Sequence, residues 1–150
     1  MRPAHCLEQL RFQFRRVLFE STLAEVRACF GTFQGSDQRS RLFTRLADLV
    51  SAMQRCGLFE TLLLDGSFVT AKPAPNDIDL VAVLRPGHDF ERDLPMSEYA
   101  LVSRSMLRRR FGFDVIVAER DSHLYKSYIE FFSRVRENPD LRKRLLCLSL

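Results

Sequence analysis

Three short apolar runs constrain this 150-residue chain more than any other feature: Leu58 to Asp65, Ile78 to Leu84 and Phe113 to Ala118. Gly66 follows the first, and Arg85-Pro86-Gly87 stops the second. Short apolar runs closed by turn residues read as buried strands. Helix-period segments lie between and around them. Thr22 and Glu25 make a capping box for a helix over 23–30, which Gly31 ends before a polar loop to Ser36. Leu42, Phe43, Leu46, Leu49, Val50 and Met53 share one face of a helix over 37–56 that Gly57 closes. Glu98 in a first turn and arginines in a last one suit a helix from Ser97 to about Arg110. A further helix is expected over 121–136, with a break near Asn138-Pro139, and residues 140–150 read as a short helix or tail. Strands separated by helices imply an α/β, or α+β, fold in which a small mixed sheet is flanked by helices. The length suits a single domain over 1–150, its motif core at 58–118.

Several classes fall away at once. The chain is 46% apolar and 28% charged, a globular balance that excludes a wholly disordered protein. No apolar run approaches the ~18 residues of a membrane span, and Met1 to Cys6 leads into an Arg-rich stretch instead of a signal core. A soluble, cytoplasmic domain is expected. Cys6, Cys29, Cys56 and Cys147 are scattered with no C-x-x-C pair, which excludes a zinc ribbon and reads as free thiols. The net charge of +4 comes from 20 Arg against 3 Lys. Arginine suits phosphate through its planar fork, but GC-rich codon usage accounts for the bias equally well.

The chemistry concentrates between Leu63 and Val81. Asp77 and Asp79 stand two apart at the head of an apolar strand, so both carboxylates face one side, with Cα atoms about 7 Å apart. Two carboxylates about 5 Å apart repel by roughly 3 kcal/mol at an effective dielectric of 20. A divalent cation converts that repulsion into ligation, and hard oxygen donors favour Mg2+ or Mn2+. Asp114 begins the third strand. Were that strand beside the second, three acids would meet at one sheet end, enough to hold two metals about 4 Å apart for phosphoryl or nucleotidyl transfer. Gly66 permits close backbone approach, and Ser67 with its neighbouring amides is suited to phosphate. Nine residues separate Ser67 from Asp77, room for a loop to return to the adjacent strand. Lys72, in that loop, is a further candidate phosphate contact.

An apolar strand, Gly66-Ser67, nine residues and then Asp77-Ile78-Asp79-Leu80 resembles the signature of the polymerase-β-like nucleotidyltransferase superfamily, with Asp114 in the place of its third acid. The stretch from Gly66 to Asp79 more narrowly resembles a small bacterial branch with a G-S-F-V-T-x-K-x-x-P-N-D-I-D core, a resemblance that extends to Glu25-Val26, Phe30-Gly31 and a closing segment like Phe132 to Arg136. The branch is similar to the minimal nucleotidyltransferases, some of which silence HEPN-type RNase toxins by adding AMP, while others sit in phage-defence loci. The resemblance implies a nucleotidyltransferase fold with Asp77, Asp79 and Asp114 as metal ligands and catalytic residues. It also implies Gly66, Ser67 and Lys72 as the nucleotide-binding set, and a nucleoside triphosphate donor, ATP being expected. The acceptor would be a partner protein (a toxin or defence effector), an RNA end or a small molecule. Phe68-Val69-Thr70 departs from the small and basic turn usual after Gly-Ser.

Two other classes compete. A docking module would keep the fold without catalysis, and has no reason to retain three converging acids. A nucleic-acid-binding module would use Arg104, Arg108, Arg109 and Arg110, with affinity falling steeply in salt and indifferent to Asp77.

Overall fold

In the computed structural model, which describes residues 18–32, 37–70, 72–135, 137–143 and 145–150 (backbone only over 139–142), all three apolar runs are strands. They are β2 (Phe59–Asp65), β3 (Asp79–Leu84) and β4 (Val115–Glu119) of a five-stranded sheet that also holds β1 (Leu18–Ser21) and β7 (Leu145–Ser149). The order is β1-β7-β2-β3-β4. β3 pairs antiparallel with β2 and parallel with β4, so the sheet is mixed. A separate two-stranded ribbon joins β5 (Arg134–Val135) to β6 (Asn138–Arg142). The α+β fold with helices flanking a small mixed sheet is therefore what the sequence folds into.

Successive strand residues point to opposite faces, and both faces are covered. Leu62 and Leu64 of β2, with Leu80, Ala82 and Leu84 of β3, lie in one core with Leu42, Leu46, Leu49 and Met53 of α2 (Gln38–Cys56). Leu63, Val81 and Val83 face the other way, against Tyr125, Tyr128, Ile129 and Phe132 of α5 (His123–Ser133). Sheets buried on both sides carry near-continuous apolar strands, as β2 and β3 do.

Four expectations change, the first being the helix expected over 121–136, which stops at Ser133 where Arg134 and Val135 pair in the ribbon. The capping box does open a helix, α1 (Leu23–Val26), but it widens at once into a π-turn, Arg27–Gly31. The helix expected from Ser97 to Arg110 is two, α3 (Met96–Val102) and α4 (Arg104–Phe111), because Ser103 adopts an extended ψ of 115°. Serine is suited to such a break, its hydroxyl competing for local polar partners. Residues 145–149 are neither helix nor tail: Leu145 to Leu148 are buried, and β7 inserts between β1 and β2. Five residues are too few for apolar period to separate helix from strand.

Readings of the N-terminal stretch, of loop residues 33–36 and of Arg136 fall outside the described residues. Cys56 and Cys147 are free thiols, whereas Cys29 is disulfide-bonded, which the scattered spacing gave no reason to expect. Among the described residues no helix is long and apolar enough to cross a membrane.

Candidate active site

The sheet register brings the acids together. Asp65, the last residue of β2, lies opposite Asp79, the first of β3. Leu80 lies beside Val115 in the parallel pair, so the residue preceding each, Asp79 and Asp114, stands at the same end of neighbouring strands. Asp77 precedes β3 by two residues. Burial pushes the Asp79 carboxyl up from its ordinary pKa; the charges of Asp77, Asp65 and Asp114 push the same way, against Lys143.

Gly66 makes this corner possible. Its φ of 91° is left-handed backbone, and a Cβ there would sit 3.0 Å from the Asp79 backbone nitrogen and 3.3 Å from its Oδ2. A side chain there would be strained by the backbone conformation and would push the loop and β3 slightly apart. The chain then turns through a 3-10 segment, Ser67–Val69, anchored by Phe68, whose ring is fully buried beside Phe30.

Ser67 is bound to Asp77 throughout. Its amide donates to Asp77 Oδ1 at 3.2 Å, and its hydroxyl makes a short bond to the same oxygen. The same hydroxyl accepts from the Asn76 amide at 3.1 Å, and the Phe68 amide donates to the Asp77 carbonyl at 3.1 Å. In the ligand-free chain, then, the Ser67 and Phe68 amides are turned to Asp77. Lys72 is exposed, and the described contacts hold its backbone, not its ammonium, to the loop.

Two residues that sequence reasoning passed over support this corner. Arg39 is 1% exposed, and its guanidinium donates to the carbonyls of Phe68 (2.6 Å), Thr70 (2.7 Å) and Lys72 (2.5 Å), with a longer bond to Phe30 (3.3 Å). One arginine therefore fastens the whole Gly66-to-Lys72 loop to α2. Burial pulls its pKa down. Lys143, between β6 and β7, grips both oxygens of buried Asp65 at 2.7 and 2.8 Å. A lone arginine early in a helix carries no sequence signal, because its partners are carbonyls about 30 residues away. Lys143 was hidden with the course of the C-terminal strands.

Asp114 is the acid the structure treats differently. Arg104 of α4 forks onto it, Nε to Oδ1 at 2.5 Å and Nη2 to Oδ2 at 2.6 Å, and Arg108 Nη2 approaches Oδ2 at 3.6 Å. The Arg104 hydrogen bonds hold the Asp114 carboxyl below its ordinary pKa. By contrast, Asp77 and Asp79 make no ion pair with any described residue.

Hard carboxylate oxygens on Asp77 and Asp79, in a corner where Asp79 is already hard to ionise, fit a hard divalent cation that would relieve the crowding. No group of three or more His, Cys, Asp and Glu among the described residues is gathered as a ready ligand set. The outer acids are turned to cations of their own: Asp65 to Lys143, Asp114 to Arg104.

Residues 7–145 match the sequence pattern of a family of unknown function, DUF6932. No curated protein and no solved structure matches the chain.

Proposed function

We propose that this chain, which belongs to the DUF6932 family, is a divalent-metal-dependent nucleotidyltransferase that moves a nucleoside monophosphate from a nucleoside triphosphate, with ATP as donor, to an acceptor hydroxyl. One observation carries the reading: Asp77 and Asp79 have no ion pair among the described residues at the sheet end where Asp65 and Asp114 crowd Asp79, beside a glycine-serine loop fitted against them. Acids are not crowded this way for stability, since burial and like charge both work against ionised Asp79.

Asp77 and Asp79 would hold Mg2+ or Mn2+. Bound there, the cation supplies Lewis-acid neutralisation of the phosphate oxygens. Gly66 keeps the backbone against Asp79, and Ser67 fixes which oxygen of Asp77 is turned inward. Lys72 adds a phosphate contact from the exposed side of the loop. The acceptor oxygen bonds to the α-phosphorus as the bond from that phosphorus to the bridging oxygen breaks, releasing pyrophosphate. The hydroxyl proton passes to an oxygen of Asp114, a step that needs Arg104 moved off that carboxylate.

The acceptor is a hydroxyl of a partner protein, in the setting of a toxin–antitoxin pair or phage defence, and RNA is the second candidate. The test is incubation with each α-labelled nucleoside triphosphate, Mg2+ and bacterial lysate, wild type beside Asp77→Asn/Asp79→Asn. Label moved by the wild type and not by the variant supports the reading; equal labelling, or none with any nucleotide or acceptor, removes it.

A docking module of the same fold is the second reading. It is favoured by the occupied Asp114 and by Phe90, Met96 and Tyr99, which are 66%, 71% and 50% exposed. It predicts partner binding that Asp77→Asn/Asp79→Asn leaves unchanged.

A further inference from the structure

The pairing of Arg104 and Arg108 with Asp114 has a charge imbalance. Two guanidinium groups one helical turn apart converge on a single carboxylate, Arg104 on both oxygens and Arg108 at 3.6 Å from Oδ2. The pair of guanidiniums outweighs this carboxylate in charge, yet it borders the acidic corner around Asp79, since Asp114 is among the charges felt there.

The geometry also limits what those arginines recognise. A guanidinium fork matches two oxygens on one centre, which a carboxylate and a phosphate both present, and the phosphate brings more charge. The side chains of Arg104 and Arg108 are 63% and 69% exposed, and that of Asp114 is 37% exposed. Ion pairs this open to water contribute little to stability, so exchanging one anion for another costs little. The break at Ser103 sets this up: it starts α4 afresh, with Arg104 as its first residue and Arg108 one turn on, facing the turn into β4. Two neighbouring arginines are engaged elsewhere, Arg110 over the Phe111 ring and Arg45 over the Phe113 ring. On the other side of the corner, the amides of Ser67 and Phe68 already serve Asp77. The phosphates of a ligand reaching Asp79 thus meet cationic donors on α4 that only the part-exposed Asp114 carboxylate is shown to engage.

We propose that Arg104 and Arg108 form an oligophosphate-binding subsite for the triphosphate tail of the nucleotide, in which Asp114 stands in for the phosphate until the ligand arrives. Phosphate binding swings Arg104 off Asp114 and leaves both carboxylate oxygens free beside Asp79. The subsite itself rests on the arginine geometry; naming its ligand as a nucleotide rests on the transferase reading above. Two arginines within one turn span a compact tail, not the length of a nucleic-acid strand.

The experiment is calorimetric titration with inorganic tripolyphosphate in EDTA, so that no divalent metal takes part. Wild type is compared with Arg104→Ala/Arg108→Ala, Arg104→Lys and Asp114→Asn, each first checked for an unchanged thermal melt. Wild type binds; the double alanine variant binds at least tenfold more weakly; Arg104→Lys falls between, because it keeps charge and loses the fork. Asp114→Asn binds several-fold more tightly, because the internal competitor has lost its charge. A role for Asp114 confined to metal ligation would leave metal-free binding unmoved by that change. Equal affinity in wild type and the double alanine variant overturns the proposal, as does wild type that does not bind at millimolar tripolyphosphate. A second arm uses a short oligoribonucleotide with 5′-hydroxyl ends. Arginine dependence seen there and not with tripolyphosphate assigns the surface to a strand backbone and also overturns it. Arginine-dependent tripolyphosphate binding with no label transfer leaves the subsite standing and removes the transferase reading. Label transfer that survives Arg104→Ala/Arg108→Ala with unchanged nucleotide dependence does the reverse.

Discussion

The two ends of the β2–β3–β4 unit treat their acids in opposite ways. At the far end Glu60 is met by the Arg120 guanidinium, and Glu119 accepts from the Gly87 amide at 3.3 Å. At the near end four acids gather, and the cations that reach them stop at the outer two, Lys143 on Asp65 and Arg104 with Arg108 on Asp114. Asp77 has a serine hydroxyl and an amide, and Asp79 stands among like-charged neighbours with only the Lys143 charge shown to act against them. Fold stability explains the far end and not the near one, where the arrangement costs stability unless a ligand restores the balance. Shape does not mark the same place as charge. A cavity of about 680 Å3 lies at the far end, lined in part by Leu84, Phe90, Tyr99 and Val117. We place the chemistry by charge, because a transfer at phosphorus needs cation-holding oxygens more than an apolar hollow.

The sharpest way to break this contrast is to neutralise the near end. Asp77→Asn/Asp79→Asn should lower nucleotidyl transfer roughly a thousandfold, measured with α-labelled nucleotide, the loss expected when a cation's several kcal/mol of charge stabilisation goes. Next in size is the clamp behind the loop. Arg39→Met keeps the bulk and removes the donors to Phe68, Thr70 and Lys72, so chemical denaturation should show a loss of about 3 kcal/mol or more. Gly66→Ala should cost about 1–3 kcal/mol in the same assay, from left-handed backbone and the approach to Asp79. The far-end control should be the mildest: Glu60→Gln should lower stability by about 1 kcal/mol or less and leave transfer intact, since the Arg120 pair is half-open to water.

Much of the near end was legible because it obeys local rules. Period 2 places Asp77 and Asp79 on one side, and nine residues suffice for Ser67 to return to Asp77. The helix face of α2 was read from Leu42, Leu46, Leu49 and Met53, all of which are buried. What the sequence concealed is non-local. Arg39 binds carbonyls about 30 residues on, and Lys143 reaches Asp65 across 78 positions. The place of β7 depends on the free edge of β2, which no pattern in Leu145–Ser149 encodes. The Arg104 fork on Asp114 depends on a helix break at Ser103 inside an otherwise continuous helical pattern.

The central claim is that Asp79 is crowded in order to hold a cation, and thermal melting of wild type and Asp79→Asn, with and without Mg2+ or Mn2+, tests it directly. A carboxyl raised in the folded state destabilises the fold once ionised, and that penalty disappears as pH falls through the raised pKa. Asp79→Asn should therefore melt higher than wild type in EDTA at neutral pH, with the gap closing on acidification. The cation should raise the wild-type melting temperature by a few degrees and leave the variant unmoved. A wild type indifferent to both cations, together with an Asp79→Asn variant that melts lower in EDTA, would contradict the account.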